Sequence, residues 1–315
     1  MKKILTAVLW TVLLLSSGVL GAQNLSGTYL FAQRDTCDLY FDVYDPSPGS
    51  ETVVDGISKP AILFVFGGGF IGGERSDPGY FKWFRLMNDN GYRVITIDYR
   101  LGLKGKKVSF SPTGLIGTAR NTVKAVEIGV EDLFSAVSYI VANSEALGVD
   151  PDNIVLAGSS AGAIISLGAE YFISNGEAIA KTLPEGFNFR GVISYAGAIV
   201  DDGGKPKYAT APCPTLLFHG TEDRLVQYNK LQVLKLGMWG SNVLAGIYSK
   251  NGYNYSIYRF VGHAHDISAN FIALWPYQDQ FIRNNVMKGN RSIVDATVDD
   301  PSVPAWEAPT RESLY

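Results

Sequence analysis

The chain carries little charge and no concentrated charge of either sign. Only 18% of its 315 residues are charged, and the net charge is −3, without a basic block or an acidic tail. This balance argues against a nucleic-acid partner and against a polybasic contact with a membrane. The hydrophobic fraction of 46% is ample for a large core and excludes a disordered chain.

Cysteine is almost absent, since the whole chain has only Cys37 and Cys213. They lie far apart, each beside a predicted strand, and we expect both to be free, buried and packed as small apolar side chains. A disulfide between them is the alternative that an exported protein would permit. Neither has a histidine or cysteine at metal-ligand spacing, so a structural zinc site is not expected.

Long apolar runs are also missing, except at the N-terminus. Lys2 and Lys3 precede an apolar run over residues 4–15, and the small residues Gly21 and Ala22 follow. This order is typical of a secretory signal peptide, here residues 1–22. A membrane anchor is the alternative, but the run is shorter than the ~20 residues of a spanning helix. We therefore expect an exported protein, periplasmic or extracellular, without a membrane span.

Strand and helix patterns alternate along the rest of the chain. Apolar, β-rich runs predict strands at residues 39–44, 61–66, 93–98, 153–157, 191–195, 215–219 and 255–260. Helical patterns lie between them at residues 80–88, 117–144, 161–173 and 267–287. The alternation predicts one α/β domain over residues 23–288, with a mostly parallel central sheet and helices on both faces. Residues 289–315 have no periodicity and are expected to form a C-terminal tail that wraps the surface or is loose.

The clearest chemical signal is at residues 154–162, which read I-V-L-A-G-S-S-A-G. A serine on a sharp turn from strand to helix projects its hydroxyl, and side chains two residues before and after it would clash. Glycine at both of those places makes Ser160 the candidate nucleophile, whereas Ser159 lacks the spacing. The helix that follows directs its first N–H groups at the same point, which favours a developing oxyanion.

A serine nucleophile needs a base, usually histidine, held by a carboxylate. The chain has three histidines, and all follow Ser160. His219 stands in an H-G-x-x-D turn at the end of a predicted strand and is expected to be structural, while Asp223 of that turn is the candidate acid. Glu222 is a competing carboxylate. Asp201 and Asp202, after the preceding predicted strand, are a further alternative.

The base is either His263 or His265, in the segment G-H-A-H-D at residues 262–266. We favour His265 because it is nearer to the predicted helix 267–287, on the loop where such a base must lie. The two histidines could instead begin a metal site, since residues two apart on an extended chain face the same way. A catalytic metal normally needs three protein ligands, and the other histidine is His219. Neither a metal nor an organic cofactor is therefore expected.

Three glycines and a phenylalanine, residues 67–70, follow the predicted strand 61–66. Without a Cβ, Gly68 and Gly69 can turn their N–H groups inward, and with the N–H of Ala161 they are candidate oxyanion donors. A phosphate-binding loop is the alternative, but no Lys-Ser/Thr pair ends this loop, and no acidic residue follows the next strand at dinucleotide spacing. The candidate substrate contacts around these groups are Phe70, Ser159 and His263.

These motifs, with D-Y-R at residues 98–100, together resemble the carboxylesterase and lipase branch of the α/β-hydrolases. They occur in that family's order over about residues 39–287. The branch includes hormone-sensitive-lipase-like and polysaccharide-deacetylating esterases, and M-W-G-S at residues 238–241 is similar to a signature of its secreted bacterial members. The resemblance implies the α/β-hydrolase fold and the following site residues: a triad of Ser160, Asp223 and His265, with Gly68, Gly69 and Ala161 as oxyanion donors.

Two positions depart from the family pattern. Phe66 replaces the histidine that commonly precedes the glycines, so a hydrogen bond that steadies the loop is expected to be absent. Ser159 stands where many relatives carry an acidic residue. Neither touches the reacting atoms, so both are expected to influence substrate choice more than activity.

The reaction implied by the resemblance is hydrolysis of a carboxylic ester through an acyl-enzyme, without a cofactor. The substrate would be a small-molecule ester or an acyl ester on a glycan. A serine peptidase of the same fold is one alternative, but it would usually carry a propeller or a substantial cap domain. A catalytically inactive binding protein of this fold is another, and the intact Ser160, Asp223 and His265 disfavour it.

Overall fold

The computed structural model describes residues 24–109, 111, 114–307 and 310–314. The expected signal peptide, residues 1–22, lies outside them. The strands are β1 (Leu25–Gln33), β2 (Asp38–Tyr44), β3 (Val53–Val54), β4 (Ile57–Ser58), β5 (Ala61–Val65), β6 (Val94–Ile97), β7 (Ile154–Ser159), β8 (Gly191–Tyr195), β9 (Ala198–Asp201), β10 (Thr215–Gly220), β11 (Lys230–Val233), β12 (Leu236–Gly240), β13 (Tyr255–Phe260) and β14 (Val294–Val298). The helices are α1 (Phe81–Asp89), α2 (Leu115–Ala142), α3 (Ser144–Leu147), α4 (Ala161–Asn175), α5 (Ser241–Asn251), α6 (Trp275–Phe281) and α7 (Arg311–Leu314).

Within the described residues, nine strands form one sheet in the order β1-β2-β6-β5-β7-β8-β10-β13-β14. From β6 to β14, every neighbouring pair is parallel, whereas β1 pairs antiparallel with β2 and β2 antiparallel with β6. All seven predicted strands belong to this sheet, so the expected mostly parallel central sheet is confirmed. The sequence patterns missed β1 and β14 at its two edges.

The central strands are apolar throughout because helices and loops cover them. Every residue of β5, β7, β8 and β10 is buried. Helix α4 packs against β5, β7 and β8, and α2 packs against α4. Trp83 of α1 donates a hydrogen bond of 2.9 Å to Gln278 of α6, joining those two helices. Over the described part of the chain, no helix is long and apolar enough to cross a membrane.

The helix predicted over residues 267–287 is broken in the structure, which corrects that expectation. His265–Ala269 forms a 3₁₀ turn, α6 begins only at Trp275, and a π-helical turn over Ile282–Met287 follows it. Pro276 stands in the first turn of α6. Proline has no N–H and its ring clashes with the carbonyl four residues earlier, so one continuous helix cannot pass through this position.

The C-terminal segment is more ordered than its sequence indicated. Strand β14 extends the sheet by parallel pairing with β13. Beyond it, Val303 is buried, and the side-chain amide of Asn270 donates to the carbonyl of Pro304 at 3.0 Å. Strand β14 has five residues, which alternate between half-buried and exposed. So short an alternation does not stand out in the sequence. The sheet therefore continues past residue 288, where the predicted domain boundary was placed.

Both cysteines are free, as expected, but only one of them is buried. Cys213 is buried, just before β10, whereas Cys37 is exposed in the bend between β1 and β2. The expectation of burial was therefore wrong for Cys37, because the edge pair β1–β2 leaves its connecting bend in solvent.

A second, smaller sheet forms at the carboxyl end of the central strands. It has the order β11-β12-β9, with both pairings antiparallel. Strand β9 continues the chain beyond β8, and the β11–β12 hairpin follows the turn after β10. Loops beyond the carboxyl ends of parallel strands meet at one edge of a sheet, so these segments surround the candidate site.

Candidate active site

Ser160 occupies a strained turn between β7 and α4. Its φ is 51° and its ψ −117°, a conformation that residues with a side chain rarely adopt. A Cβ on Gly162 would lie 2.5 Å from the carbonyl oxygen of Phe66 and closer still to that of Val65. A Cβ on Gly158 would likewise overlap the backbone of Gly162. The two glycines thus let the turn close against the end of β5.

Three side chains from different loops meet at this turn. Nε2 of His265 lies 2.8 Å from Oγ of Ser160, and Nδ1 lies 2.7 Å from Oδ2 of Asp223. An ionised carboxylate only accepts, so Nδ1 carries the ring proton and Nε2 accepts from the serine hydroxyl. All three side chains are buried. The arrangement can take a proton from the hydroxyl and stabilise the resulting imidazolium.

The Asp223 carboxylate receives hydrogen bonds at both oxygens. The N–H groups of Leu225 and Val226 donate to Oδ1 at 2.9 and 3.0 Å, while His219 Nε2 lies 3.3 Å from Oδ2. Burial alone would raise the pKa of the Asp223 carboxyl, but hydrogen bonds from His219 and His265 outweigh it and hold the pKa well below its usual range. Asp223 therefore remains an anion at neutral pH.

The competing carboxylates lie elsewhere. Glu222 and Asp202 are exposed. Asp201 accepts hydrogen bonds from the N–H of Gly203 at 3.0 Å and from the hydroxyl of Tyr171 at 3.3 Å. None of these groups contacts His265 among the hydrogen bonds and ion pairs of the described residues.

His263 has a different partner from His265. Its Nδ1 lies 2.6 Å from Oδ2 of Asp266, and the ring is buried. The hydroxyl of Ser159 also has a partner within the protein, because it donates to the carbonyl of Ser268 at 2.8 Å. That bond ties the end of β7 to the turn that carries His265. Substrate contact by Ser159 or His263 stays a prediction, because neither lines the cavity described below.

The glycine loop places backbone groups beside Ser160. Gly68, Gly69 and Phe70 have φ of 125°, 63° and 63°. Left-handed backbone at three successive residues turns the chain sharply after β5, and glycine tolerates it at the first two. Gly69 and Ala161 line the cavity next to Ser160, whereas Gly68 does not. The N–H groups at the first turn of α4 lack helical partners and can meet a developing oxyanion.

Two tyrosines hold this loop, a role that the sequence analysis missed. The Gly67 N–H donates to the hydroxyl of Tyr80 at 3.0 Å, and the Tyr99 hydroxyl donates to the carbonyl of Phe66 at 3.1 Å. The rings of Phe66 and Tyr99 stack with centroids 4.4 Å apart. Phenylalanine in place of the family's histidine therefore leaves the loop with other hydrogen bonds. The only signal in the sequence was Tyr99 in the D-Y-R motif.

An apolar cavity of about 100 Å³ opens beside Ser160. Its wall comes from the glycine loop, α2, the loop before α2, α4, the β11–β12 hairpin and the C-terminal segment. The apolar residues of the wall include Phe70, Leu103, Val108, Leu115, Val123, Ile164, Val226, Leu231, Val233, Leu236, Met238 and Leu314. Phe70 thus lines the cavity, and its contact with substrate stays a prediction. The hairpin was missed, although L-Q-V-L-K-L at residues 231–236 alternates for most of its length as a half-buried strand does.

A metal site has no support in the described ranges. Across residues 24–109, 111, 114–307 and 310–314, no group of three or more His, Cys, Asp or Glu side chains is arranged to hold a metal ion.

Comparisons with known proteins match the first half of the chain by sequence. The model of the Carboxylesterase family matches residues 18–167. Esterase E4 of Myzus persicae is 30% identical over 156 residues, which is 49% of this chain and 25% of that protein. Para-nitrobenzyl esterase of Bacillus subtilis is 31% identical over 140 residues, or 44% of this chain and 25% of that one. The chain thus spans about a quarter of these relatives, and the matched family region includes Ser160 but not Asp223 or His265.

Comparison of structures covers much more of the chain. Propionate-bound Est2, an esterase from Thermogutta terrifontis, superposes with a TM-score of 0.58 and 20% identity, over 81% of this chain and 93% of that one. The form of Est2 phosphorylated by paraoxon superposes with a TM-score of 0.56 and 19% identity, over 82% of this chain and 94% of that one. With the sheet order given above, this similarity confirms the expected α/β-hydrolase fold.

Proposed function

We propose that the protein is a serine hydrolase of carboxylic esters. Ser160 is the nucleophile, His265 is the general base, and the Asp223 carboxylate orients the His265 ring. The observation that carries the proposal is the pair of hydrogen bonds that His265 makes, 2.8 Å to Ser160 and 2.7 Å to Asp223. The similarity of the first half of the chain to carboxylesterases supports the same reaction.

The reaction would run in two steps. His265 takes the hydroxyl proton as Ser160 attacks the acyl carbon, and the carbonyl oxygen becomes negative against the N–H groups of Gly68, Gly69 and Ala161. Collapse of this intermediate breaks the ester bond, and His265 gives the proton to the departing alcohol. A water molecule, deprotonated by His265, then attacks the acyl carbon of the acyl-enzyme. The bond from this carbon to Ser160 breaks, the acid leaves, and His265 returns the proton to the serine oxygen.

The cavity favours a short, apolar acyl group as the part of the substrate that is buried. A cavity of roughly 150 Å³ admits benzene, and the one beside Ser160 holds about 100 Å³. Among the described residues, the hydroxyl groups in its wall besides that of Ser160 are those of Thr118 and Thr122. Such a wall offers few partners for a sugar, so a glycan, if present, would be the alcohol that leaves and would stay outside the cavity.

The test is a panel of p-nitrophenyl esters of increasing chain length, with acetyl-xylan alongside. We expect kcat/KM to be highest for short acyl chains. Ser160→Ala should lower kcat by at least ~10³-fold with the fold intact, and a phosphonate probe should label Ser160 rather than Ser159. Near-normal turnover by Ser160→Ala would remove the serine mechanism, and cleavage of peptides in preference to esters would favour the peptidase alternative.

We also propose that the protein is exported and belongs to the secreted bacterial esterases of this branch. The support is the order of charges, apolar run and small residues over residues 1–22 and the M-W-G-S segment at residues 238–241. N-terminal sequencing of the protein after expression in a bacterial host should find the chain beginning near Gln23 in the periplasm or medium. An intact N-terminus in the cytoplasm would contradict export.

A further inference from the structure

His219 and Ser241 form a buried polar pair directly behind the proposed triad. Nδ1 of His219 lies 2.7 Å from Oγ of Ser241, and both side chains are fully buried. On the other side of the ring, Nε2 faces two oxygens, the Val226 carbonyl at 3.0 Å and Asp223 Oδ2 at 3.3 Å. The ring therefore spans the distance from the start of α5 to the acid of the triad.

The partners determine which nitrogen of His219 carries the proton. A carbonyl and a carboxylate both only accept, so Nε2 is the donor, shared between Val226 and Asp223. Nδ1 of a neutral ring is then an acceptor, and the Ser241 hydroxyl donates a hydrogen bond to it. The single hydroxyl proton of Ser241 faces two acceptors, Nδ1 at 2.7 Å and the Gly197 carbonyl at 3.2 Å, and Nδ1 is the nearer. Ser241 thereby anchors Nδ1, while the Val226 carbonyl and Asp223 keep the ring proton on Nε2.

We propose that His219 and Ser241 are positioning residues of the reaction, acting on Asp223 rather than on substrate. This rests on the proposed function, because it assigns Asp223 to the triad. The His219 N–H holds Oδ2, the oxygen that also accepts from His265 at 2.7 Å. It also clamps the turn from Asp223 to Val226, whose own N–H binds Oδ1 at 3.0 Å. Both oxygens of Asp223 are thus fixed, and the imidazole of His265 is aimed at Ser160.

The segment that contains Ser241 has a structure suited to this role. It is the M-W-G-S stretch, Met238 to Ser241, at the end of β12. A Cβ on Gly240 would overlap the carbonyl oxygen of Gln227, so only glycine lets α5 begin so close to the turn after Asp223. Trp239 is almost fully buried. Gly240 therefore allows the close approach of α5, and Ser241 makes the contact with His219.

The titration of the triad distinguishes this role from simple packing. Of the residues that the structure describes, His219 and His265 are the titratable groups within hydrogen-bonding distance of Asp223. The ring of Tyr228 packs against His219 with centroids 5.7 Å apart. Loss of a donor to an anionic carboxylate raises the proton affinity of the Asp223–His265 pair, whichever member takes the proton. A packing role alone would leave that affinity unchanged.

The experiment measures the pKa of His265 by NMR and the acid limb of kcat/KM in three variants. His219→Phe keeps a ring but removes both nitrogens, and Ser241→Ala removes the hydroxyl that anchors Nδ1 of His219. Thr215→Val is the matched control, because Thr215 lies on the same strand and its buried hydroxyl donates to the Cys213 carbonyl at 3.0 Å, away from Asp223. With three histidines in the chain, the ring signals are few enough to assign by substitution.

We expect His219→Phe to raise the pKa of His265 and the acid limb by about one unit, the effect of one charge-assisted hydrogen bond, and to lower kcat about tenfold. Ser241→Ala should shift both in the same direction by less, and Thr215→Val should shift neither. His219→Gln, which restores an N–H donor, should recover part of the loss and serves if His219→Phe does not fold.

An unchanged His265 pKa in the His219 and Ser241 variants would overturn the proposal, even if the wild type hydrolyses esters. Shifts as large in Thr215→Val would overturn it too, because the effect would then be general destabilisation. If the wild type hydrolyses no ester but the NMR shift appears, the coupling of His219 to Asp223 and His265 stands and the proposed function fails.

Discussion

Gly162→Ala tests how closely the serine turn approaches the glycine loop. A methyl group there would lie 2.5 Å from the carbonyl oxygen of Phe66 and nearer still to that of Val65. Both are backbone atoms at the end of a buried strand, so the helix or the strand must move. Overpacking of this kind costs about 1–3 kcal/mol, and alanine returns about 0.5–1 kcal/mol of helix propensity. We expect a net loss of about 1 kcal/mol in unfolding free energy.

Gly246→Ala is the matched control for this prediction. Gly246 lies on the exposed side of α5, and nothing is within 4 Å of a Cβ placed there. The same substitution should stabilise the protein by about 0.5–1 kcal/mol through helix propensity alone. At about 2 °C per kcal/mol for a chain of this length, Tm should fall by roughly 2 °C in Gly162→Ala and rise by about 1–2 °C in Gly246→Ala.

Activity should separate the two variants further. Any movement of α4 away from β5 displaces Ser160 from the glycine loop, and a displacement of about 1 Å can lower kcat roughly 10²-fold. Thermal unfolding and p-nitrophenyl ester turnover, measured on both variants, provide the test. A rise in Tm and full activity in Gly162→Ala would refute the close approach of the turn to the end of β5.

Three further predictions follow from the site and the core. His265→Ala should lower kcat nearly as much as Ser160→Ala, and the double variant of Ser160 and His265 should be little worse than either single variant. His263→Ala should retain substantial kcat. The reverse pattern would make His263 the base. Dialysis against EDTA should leave ester hydrolysis unchanged, and activity restored by zinc after a loss would favour a metal site. Burial raises the pKa of Glu170 from 4.5 to about 7, so the folded state holds this proton more tightly than the unfolded chain. Stability should therefore fall by about 3 kcal/mol as pH rises from 4.5 to 7; an identical pH dependence of Tm in wild type and Glu170→Gln would contradict this.

The sequence by itself determined the central sheet and the candidate nucleophile. Runs of apolar residues are long enough to show strands buried on both faces, such as β5, β7 and β10. The glycines around Ser160 form a short sequence pattern, although only the clash avoided at Gly158 is with a neighbour in sequence, whereas that at Gly162 is with the end of β5. Such features can be recognised from neighbouring residues alone.

The tertiary structure decided what depends on distant segments. Only its geometry separates His265 from His263, since both lie on one short loop and differ by which carboxylate and hydroxyl each faces. The tyrosines that hold the glycine loop and the hairpin wall of the cavity likewise depend on contacts between segments far apart in the chain, whereas the break in the helix after His265 could have been read from Pro276. The exposure of Cys37 could not be predicted from local sequence. It depends on the edge pairing of β1 with β2, which the residues next to Cys37 in sequence do not indicate. Local patterns specify local geometry, whereas the partner of a side chain is specified only once the whole chain has packed.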